Sequence, residues 1–273
     1  MERPVVKNIL TREKINAFPI KNKNMSVAQL RQLCVDFFNF SKTALWICDH
    51  DVDYIRNAAG TQDKMAEGQV YGGLPYIGLG TGNVYRLLDY MDENGVVNIS
   101  SVINRKKFNR VYARNLWRNF GNQCANGAYV GWARVINSFE YDGSPAMLQA
   151  NGFFRVGPYK YPDDLKCLKK EYNSVAICKE NGEQTMFESY AALQIADGLN
   201  NFTTAGHVIM CTVAPVVVRN ADGTIDGQES YLHITEQAQK WTEQENQFGD
   251  KFLMKPSVDK KFTFATLFET LCP

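Results

Sequence analysis

Two runs of β-branched residues in the C-terminal third limit the possible fold more than any other feature of this sequence. The runs span 207–218 and 231–236, and the turn signal Ala221-Asp222-Gly223 lies between them. Such runs on both sides of an Asp-Gly pair are typical of an antiparallel hairpin. Upstream, apolar residues recur mostly at helical spacing, most clearly behind Ser26, which we expect to cap a helix, although 174–178 predicts a strand. Helices followed by an antiparallel sheet predict an α+β fold.

Charge balance and cysteine spacing exclude several classes of protein. The chain has 30 Lys and Arg residues against 29 Asp and Glu residues, so it lacks the basic footprint of a nucleic-acid binder. Because no apolar run approaches ~18–20 residues, we expect no membrane span. None of the seven cysteines lies three positions from another, and the ligand-rich stretch 48–53 is interpreted as a charged surface loop. We therefore expect no metal and no other cofactor.

Cys124 falls in the first turn of a predicted helix. Apolar residues recur at i, i+3 and i+4 over 124–137, and Gly121-Asn122 forms the turn before that stretch. Free N–H groups and the positive end of the helix dipole favour the thiolate, which is the reactive form of cysteine. Position alone leaves two interpretations open, a nucleophile and a buried structural thiol.

The three histidines offer one candidate base for Cys124. His50 belongs to the charged stretch, and His233 lies on the polar face of the second β-branched run, so we expect it to face solvent. His207 begins the first run. A hairpin centred between residues 221 and 222 places His207 beside Glu236 at its open end.

A cysteine, a histidine and a carboxylate are the parts of a thiol-dependent acyl-transfer site. Cys124 would attack a carbonyl, and His207 would hold the thiolate as an ion pair before protonating the leaving amine. Glu236 would orient the imidazole. The backbone N–H of Cys124, together with the region of Asn122 and Gln123, would bind the oxyanion.

Three short motifs around these residues resemble those of the cysteine, histidine-dependent amidohydrolase/peptidase (CHAP) family and its NlpC-type relatives. They are Asn122-Gln123-Cys124 before a helix, Ala205-Gly206-His207-Val208 before a strand, and Ile234-Thr235-Glu236-Gln237 on the next strand. The resemblance covers about 115–240. Two departures are Asp197-Gly198, where the family has Gly-Asp, and Ala238, where it often has Asn.

The resemblance implies a papain-like fold and hydrolysis of amide bonds, typically in bacterial cell-wall peptides. Peptide or peptidoglycan would then be the partner, and the protein would act outside the cell or in its envelope. A catalytically inactive papain-like module that binds cell wall or peptide is the alternative, and a transferase would differ only in the acceptor. Four aromatic residues near the expected cleft could line a substrate groove: Tyr71, Tyr76, Tyr85 and Trp117.

The same patterns suggest a division of the chain. We expect an extended arm at 1–24, a helical region packed on the core at 25–110, and the papain-like catalytic core at 111–273. A single domain over 25–273 is the alternative.

Overall fold

The computed structural model describes residues 6–56, 62–77, 82–99, 121–139, 147–161, 173–201 and 207–270. Its helices are α1 (Arg12–Asn16), α2 (Val27–Thr43), α3 (Val84–Leu88), α4 (Cys124–Trp132), α5 (Met147–Ala150), α6 (Ser174–Asn181), α7 (Glu183–Ala191) and α8 (Phe264–Thr270). Its strands are β1 (Leu45–Cys48), β2 (Val52–Arg56), β3 (Gln62–Met65), β4 (Val70–Gly72), β5 (Val96–Val97), β6 (Gly198–Asn201), β7 (His207–Val216), β8 (Tyr231–Glu236), β9 (Thr242–Glu245), β10 (Lys251–Met254) and β11 (Ser257–Thr263).

The strands form three sheets. A five-stranded sheet has the order β5-β1-β4-β10-β9, a four-stranded antiparallel sheet has the order β11-β8-β7-β6, and β2 pairs with β3. In the five-stranded sheet, β10 from the C-terminal part runs parallel to β4 from the N-terminal part. Helices combined with largely antiparallel sheets agree with the predicted α+β class.

The expected helical region at 25–110 contains β1 to β5 as well as α2 and α3, so its description as helical is wrong. Short apolar stretches such as Leu45–Cys48 carry no periodicity that separates a strand from a buried helix. The expected extended arm at 1–24 likewise includes α1, which Thr11 caps. The predicted strand at 174–178 lies in α6, where the Asn173 side chain accepts hydrogen bonds from the first-turn N–H groups.

Helix α2 begins as the sequence predicts. The Ser26 side chain accepts from the N–H of Gln29, and the Gln29 side chain accepts from the N–H of Ser26, which completes a capping box. The buried face of α2 packs against α4. A Cβ at Gly131 of α4 would lie 2.9 Å from Phe38 Cβ and 3.0 Å from Cys34 O, so the small residue allows this close approach.

The predicted hairpin is present as β7 and β8, with a different register. Ile209, rather than His207, lies opposite Glu236. A turn over Asp226–Ser230 adds residues on the β8 side, and two bulges in β7 compensate only in part. Since His207 and Ile209 share one face of the strand, His207 is the diagonal neighbour of Glu236, which is still within side-chain reach.

Candidate active site

Cys124 is the first residue of α4, at the position predicted for it. Gln123 before it is extended, with φ −107° and ψ 179°, and the Gln123 carbonyl accepts from the N–H of Gly127 at 2.7 Å. The backbone N–H groups of Ala125 and Val208 donate to the Cys124 sulfur. The side chain is 8% exposed. The first turn of α4 and the start of β7 therefore surround the sulfur with hydrogen-bond donors, as an anion requires.

His207 lies between Cys124 and Glu236. Its Nε2 donates to Oε2 of Glu236 at 2.6 Å, and the imidazole also hydrogen-bonds the Cys124 side chain. Because Glu236 occupies Nε2, the ring nitrogen available to the sulfur is Nδ1. The structure thus brings together the three residues selected from the sequence.

The pKa values of the three groups shift in the direction of an ion pair. Burial raises the pKa of Cys124, but the hydrogen bond and positive charge of His207 outweigh it, so the thiol pKa falls below its usual value. Burial lowers the pKa of His207, but hydrogen bonds and charges from Cys124 and Glu236 raise it to about 9. Burial raises the pKa of Glu236, and His207 more than offsets this effect. The shifts at Cys124 and His207 therefore both favour the thiolate–imidazolium pair over the neutral thiol and imidazole.

Ser257 and Lys260 interact with Glu236 from the neighbouring strand β11. The Ser257 side chain hydrogen-bonds the carboxylate, and the positive charge of Lys260 lowers its pKa further. Both residues belong to β11, on the opposite side of β8 from β7, and they line a cavity of about 660 Å³ next to the β9–β10 hairpin. Cys124, His207 and Glu236 are not among the residues that line this cavity.

Tyr76, one of the predicted groove residues, contacts Cys124 directly. Its hydroxyl donates to the sulfur and accepts from the backbone N–H of Cys124, and the Gln239 side chain also hydrogen-bonds it. Burial and the nearby thiolate raise the pKa of Tyr76, so the hydroxyl keeps its proton. The tyrosine therefore lies where an oxyanion formed at Cys124 needs a donor.

Asn122 holds the segment that carries Tyr76. Its backbone N–H donates to the carbonyl of Pro75 at 3.1 Å, and its carbonyl accepts from the N–H of Ile77 at 2.9 Å. A Cβ at Gly121 would overlap the Ile77 side chain and lie 2.8 Å from the backbone oxygen of Pro75, so a larger residue would displace this segment. The predicted oxyanion role of Asn122 and Gln123 stays a prediction, since the contacts visible for Asn122 position Tyr76.

The other predicted groove residues lie elsewhere. Tyr71 is 2% exposed and its ring lies 5.0 Å from both Trp46 and Trp241, so its assignment to a substrate groove is wrong: it is a core residue. Tyr85 is 43% exposed, and its hydroxyl accepts from Arg134. Trp117 lies outside the described residues.

Sequence patterns assign no role to two further residues near the site, Lys42 and Gln237. Lys42, near the end of α2, is 1% exposed, and its Nζ donates to Oε1 of Gln237 at 2.7 Å. The Gln237 side chain in turn donates to the carbonyl of Leu74 at 2.8 Å. One signal for Lys42 exists in the sequence, because it follows the core residue Phe38 by four positions, on the apolar face of the helix.

The other two histidines contact acidic residues. His50 Nδ1 lies 2.6 Å from Asp49, and His233 Nδ1 lies 3.3 Å from Asp259. In the parts of the chain that the structure describes, no group of three or more His, Cys, Asp and Glu residues could hold a metal ion. No helix within those parts has the length and apolar character needed to cross a membrane. In comparisons with family models, curated proteins and solved structures, no match to this chain was found.

Proposed function

We propose that the protein is a cysteine amidohydrolase or peptidase with Cys124, His207 and Glu236 as its catalytic residues. The observation that carries this proposal is the unbroken set of hydrogen bonds from the Cys124 sulfur through His207 to Glu236. It is supported by the lowered pKa of the thiol and the raised pKa of the imidazole. A structural cysteine needs neither shift.

The chemistry follows from these positions. The Cys124 thiolate adds to the carbonyl carbon of an amide, which forms a C–S bond and an oxyanion. The backbone N–H of Cys124 and the hydroxyl of Tyr76, which hydrogen-bond each other in the free site, turn to that oxyanion as donors once the sulfur has lost its negative charge. His207 gives its proton to the amide nitrogen, the C–N bond breaks, and the amine leaves a thioester behind.

Hydrolysis of the thioester restores the ion pair. Neutral His207 takes a proton from a water molecule while the water oxygen adds to the thioester carbonyl. The C–S bond then breaks, the acid product leaves, and Cys124 is again a thiolate opposite a protonated imidazole. With an amine in place of water the same steps give a transferase, so the acceptor is the point at which the two activities differ.

The substrate class in this proposal is a peptide amide, with bacterial cell-wall peptide as the first choice. Its support is the resemblance of the three motifs to CHAP and NlpC-type enzymes. A cysteine in the first turn of a helix, with the base and the acid on neighbouring antiparallel strands, is also the arrangement that a papain-like fold uses. Action on cell-wall peptide implies a place outside the cell or in its envelope.

Alkylation of the thiol tests the enzyme against an inactive binding module. Iodoacetamide at pH 7, followed by peptide mapping, should label Cys124 rapidly in the native protein and slowly in H207A. Burial raises the pKa of Cys48 to about 11 and that of Cys211 to about 12, so these two thiols are internal controls for unfolding.

H233A is the matched control variant, since it removes a histidine from the same hairpin without touching Cys124. Labelling of Cys124 should be as fast in H233A as in the native protein. Slow labelling of Cys124 that does not depend on His207 would favour the inactive module. Release of new amino groups from peptidoglycan fragments, measured by mass spectrometry and lost in H207A, then identifies the bond that is cleaved.

A further inference from the structure

Lys42 is a buried amine that the mechanism above does not use. It belongs to the last turn of α2, its side chain is 1% exposed, and its amine lies 5.3 Å from the centre of the Phe38 ring. Its Nζ donates a hydrogen bond to the neutral side chain of Gln237. A lysine with a neutral partner in the core is costly to bury, so its presence needs an explanation.

The amine lies against the first turn of α4. A Cβ built at Gly127 would come within 2.7 Å of Lys42 Nζ, so the amine fills the volume that a side chain at this position would occupy. Gly127 follows Cys124 by three residues, and residues three apart lie on neighbouring parts of one helix face. The missing side chain at Gly127 therefore gives Lys42 access to the turn that begins with the nucleophile.

The negative charge of Cys124 affects the pKa of Lys42. Burial lowers the pKa of Lys42 to about 7, and the negative charge of the Cys124 thiolate opposes this effect. Lys42 lies against α4, the segment after β8 and, through its carbonyl, the backbone at Gly73. Its helix also packs against β11, which carries Asp259, Lys260 and Lys261. Among the described residues of these elements, Cys124 is the titratable group whose charge acts on the amine. Because an electrostatic attraction is mutual, the protonated amine also stabilises the thiolate.

We propose that Lys42 is a positioning residue that stabilises the Cys124 thiolate through α4, from the buried side, while His207 stabilises it from the cleft. This inference rests on the proposed function. It makes the nucleophile dependent on two cations, one of which touches the sulfur and one of which acts at a distance. It also gives a reason for keeping a lysine buried beside Gln237, the residue that follows Glu236.

The test is the pH dependence of Cys124 alkylation by iodoacetamide in the native protein and in K42M. Loss of a nearby positive charge should move the midpoint of alkylation upward by about one pH unit in K42M. K255M is the matched control, since Lys255 is another buried lysine, with its Nζ bonded to the carbonyl of Gln239 at 2.7 Å. If K42M does not fold, K42Q replaces it, because glutamine removes the charge and can still hydrogen-bond Gln237.

The outcomes separate this inference from the proposed function. An unchanged midpoint in K42M, with a clear upward shift in H207A, overturns the role of Lys42 and leaves the proposed function standing. An equal shift in K255M also overturns it, because the effect would then be common to buried lysines. If Cys124 of the native protein titrates like an ordinary thiol, the proposed function itself fails.

Discussion

Replacement of Gly127 by alanine tests the contact between α2 and α4 in terms of free energy. Alanine in a helix interior is about 1 kcal/mol more favourable than glycine, so helix propensity alone favours the variant. In the native protein the new Cβ would lie 2.7 Å from Lys42 Nζ and 3.1 Å from Gln237 Cβ. The enclosed amine has to move, which breaks its hydrogen bond to Gln237, a loss of about 2 kcal/mol for a charged donor.

The overlap with Gln237 Cβ adds a loss of about 1 kcal/mol, and the helix propensity of alanine offsets about 1 kcal/mol. G127A should therefore lower the free energy of unfolding by about 2 kcal/mol. In a K42A background the amine is absent but the 3.1 Å approach to Gln237 Cβ remains, so the gain from alanine and the overlap nearly cancel, and G127A should leave the free energy of unfolding about unchanged. Urea unfolding of the four proteins measures the effect of G127A in both backgrounds, and the difference is a coupling of about 2 kcal/mol. Equal effects of G127A in the two backgrounds would refute the placement of the amine against α4.

Three predictions concern catalysis on a peptide amide. The value of kcat/KM should fall on the alkaline side near pH 9, because His207 must keep its proton. On the acidic side it should fall at a pH below the usual pKa of a thiol, because the pKa of Cys124 is lowered. E236Q removes one cause of the raised His207 pKa, so the alkaline limb of the profile should move to lower pH and kcat/KM should fall at least about tenfold. An alkaline limb that does not move would contradict the contact between His207 and Glu236. Y76F should lower kcat about tenfold or more with little change in KM, as measured by steady-state kinetics, whereas a change in KM alone would assign Tyr76 to substrate binding.

The same shifts predict how stability depends on pH. The folded state raises the pKa of His207 to about 9, above its unfolded value near 6.5. The stability that the protonated imidazole contributes is therefore fully present below about pH 6.5 and is lost as the pH rises through about 9. The lowered pKa of Cys124 acts in the opposite direction, because its thiolate contributes stability that increases as the pH rises toward the unfolded thiol value near 8.5. Urea unfolding of the native protein should therefore show the loss of stability only from about pH 8.5 upward, and H207A should lack it.

The parts of the site that lie within local sequence patterns could be predicted. Cys124 was assigned to a helix start from the spacing of apolar residues, and the faces of β7 and β8 followed from alternation along a strand. The register was wrong by two residues, because loop residues and bulges in β7 depend on contacts that no short pattern encodes. The His207–Glu236 contact survived the error, since a shift of two residues keeps a side chain on the same face.

The contacts of the site between residues far apart in the sequence could not be predicted. Lys42 is separated from Gln237 by 195 residues, and nothing in the neighbourhood of either residue indicates the other. Tyr76 and Tyr71 are both predicted to line a substrate groove for one reason, their position near loops beside the expected cleft. Only packing separates the two, because Asn122 brings the first to Cys124 while two tryptophans enclose the second.

The parallel pairing of β10 with β4 changes what counts as the smallest active fragment. A fragment starting at residue 111 would retain the nucleophile, the base and the acid, but β10 would lose β4, one of the two strands with which it pairs. It would also lose Tyr76 and Lys42, which precede it in the chain. The N-terminal residues are therefore part of the same folded unit, because they contribute both a strand of the five-stranded sheet and side chains next to Cys124.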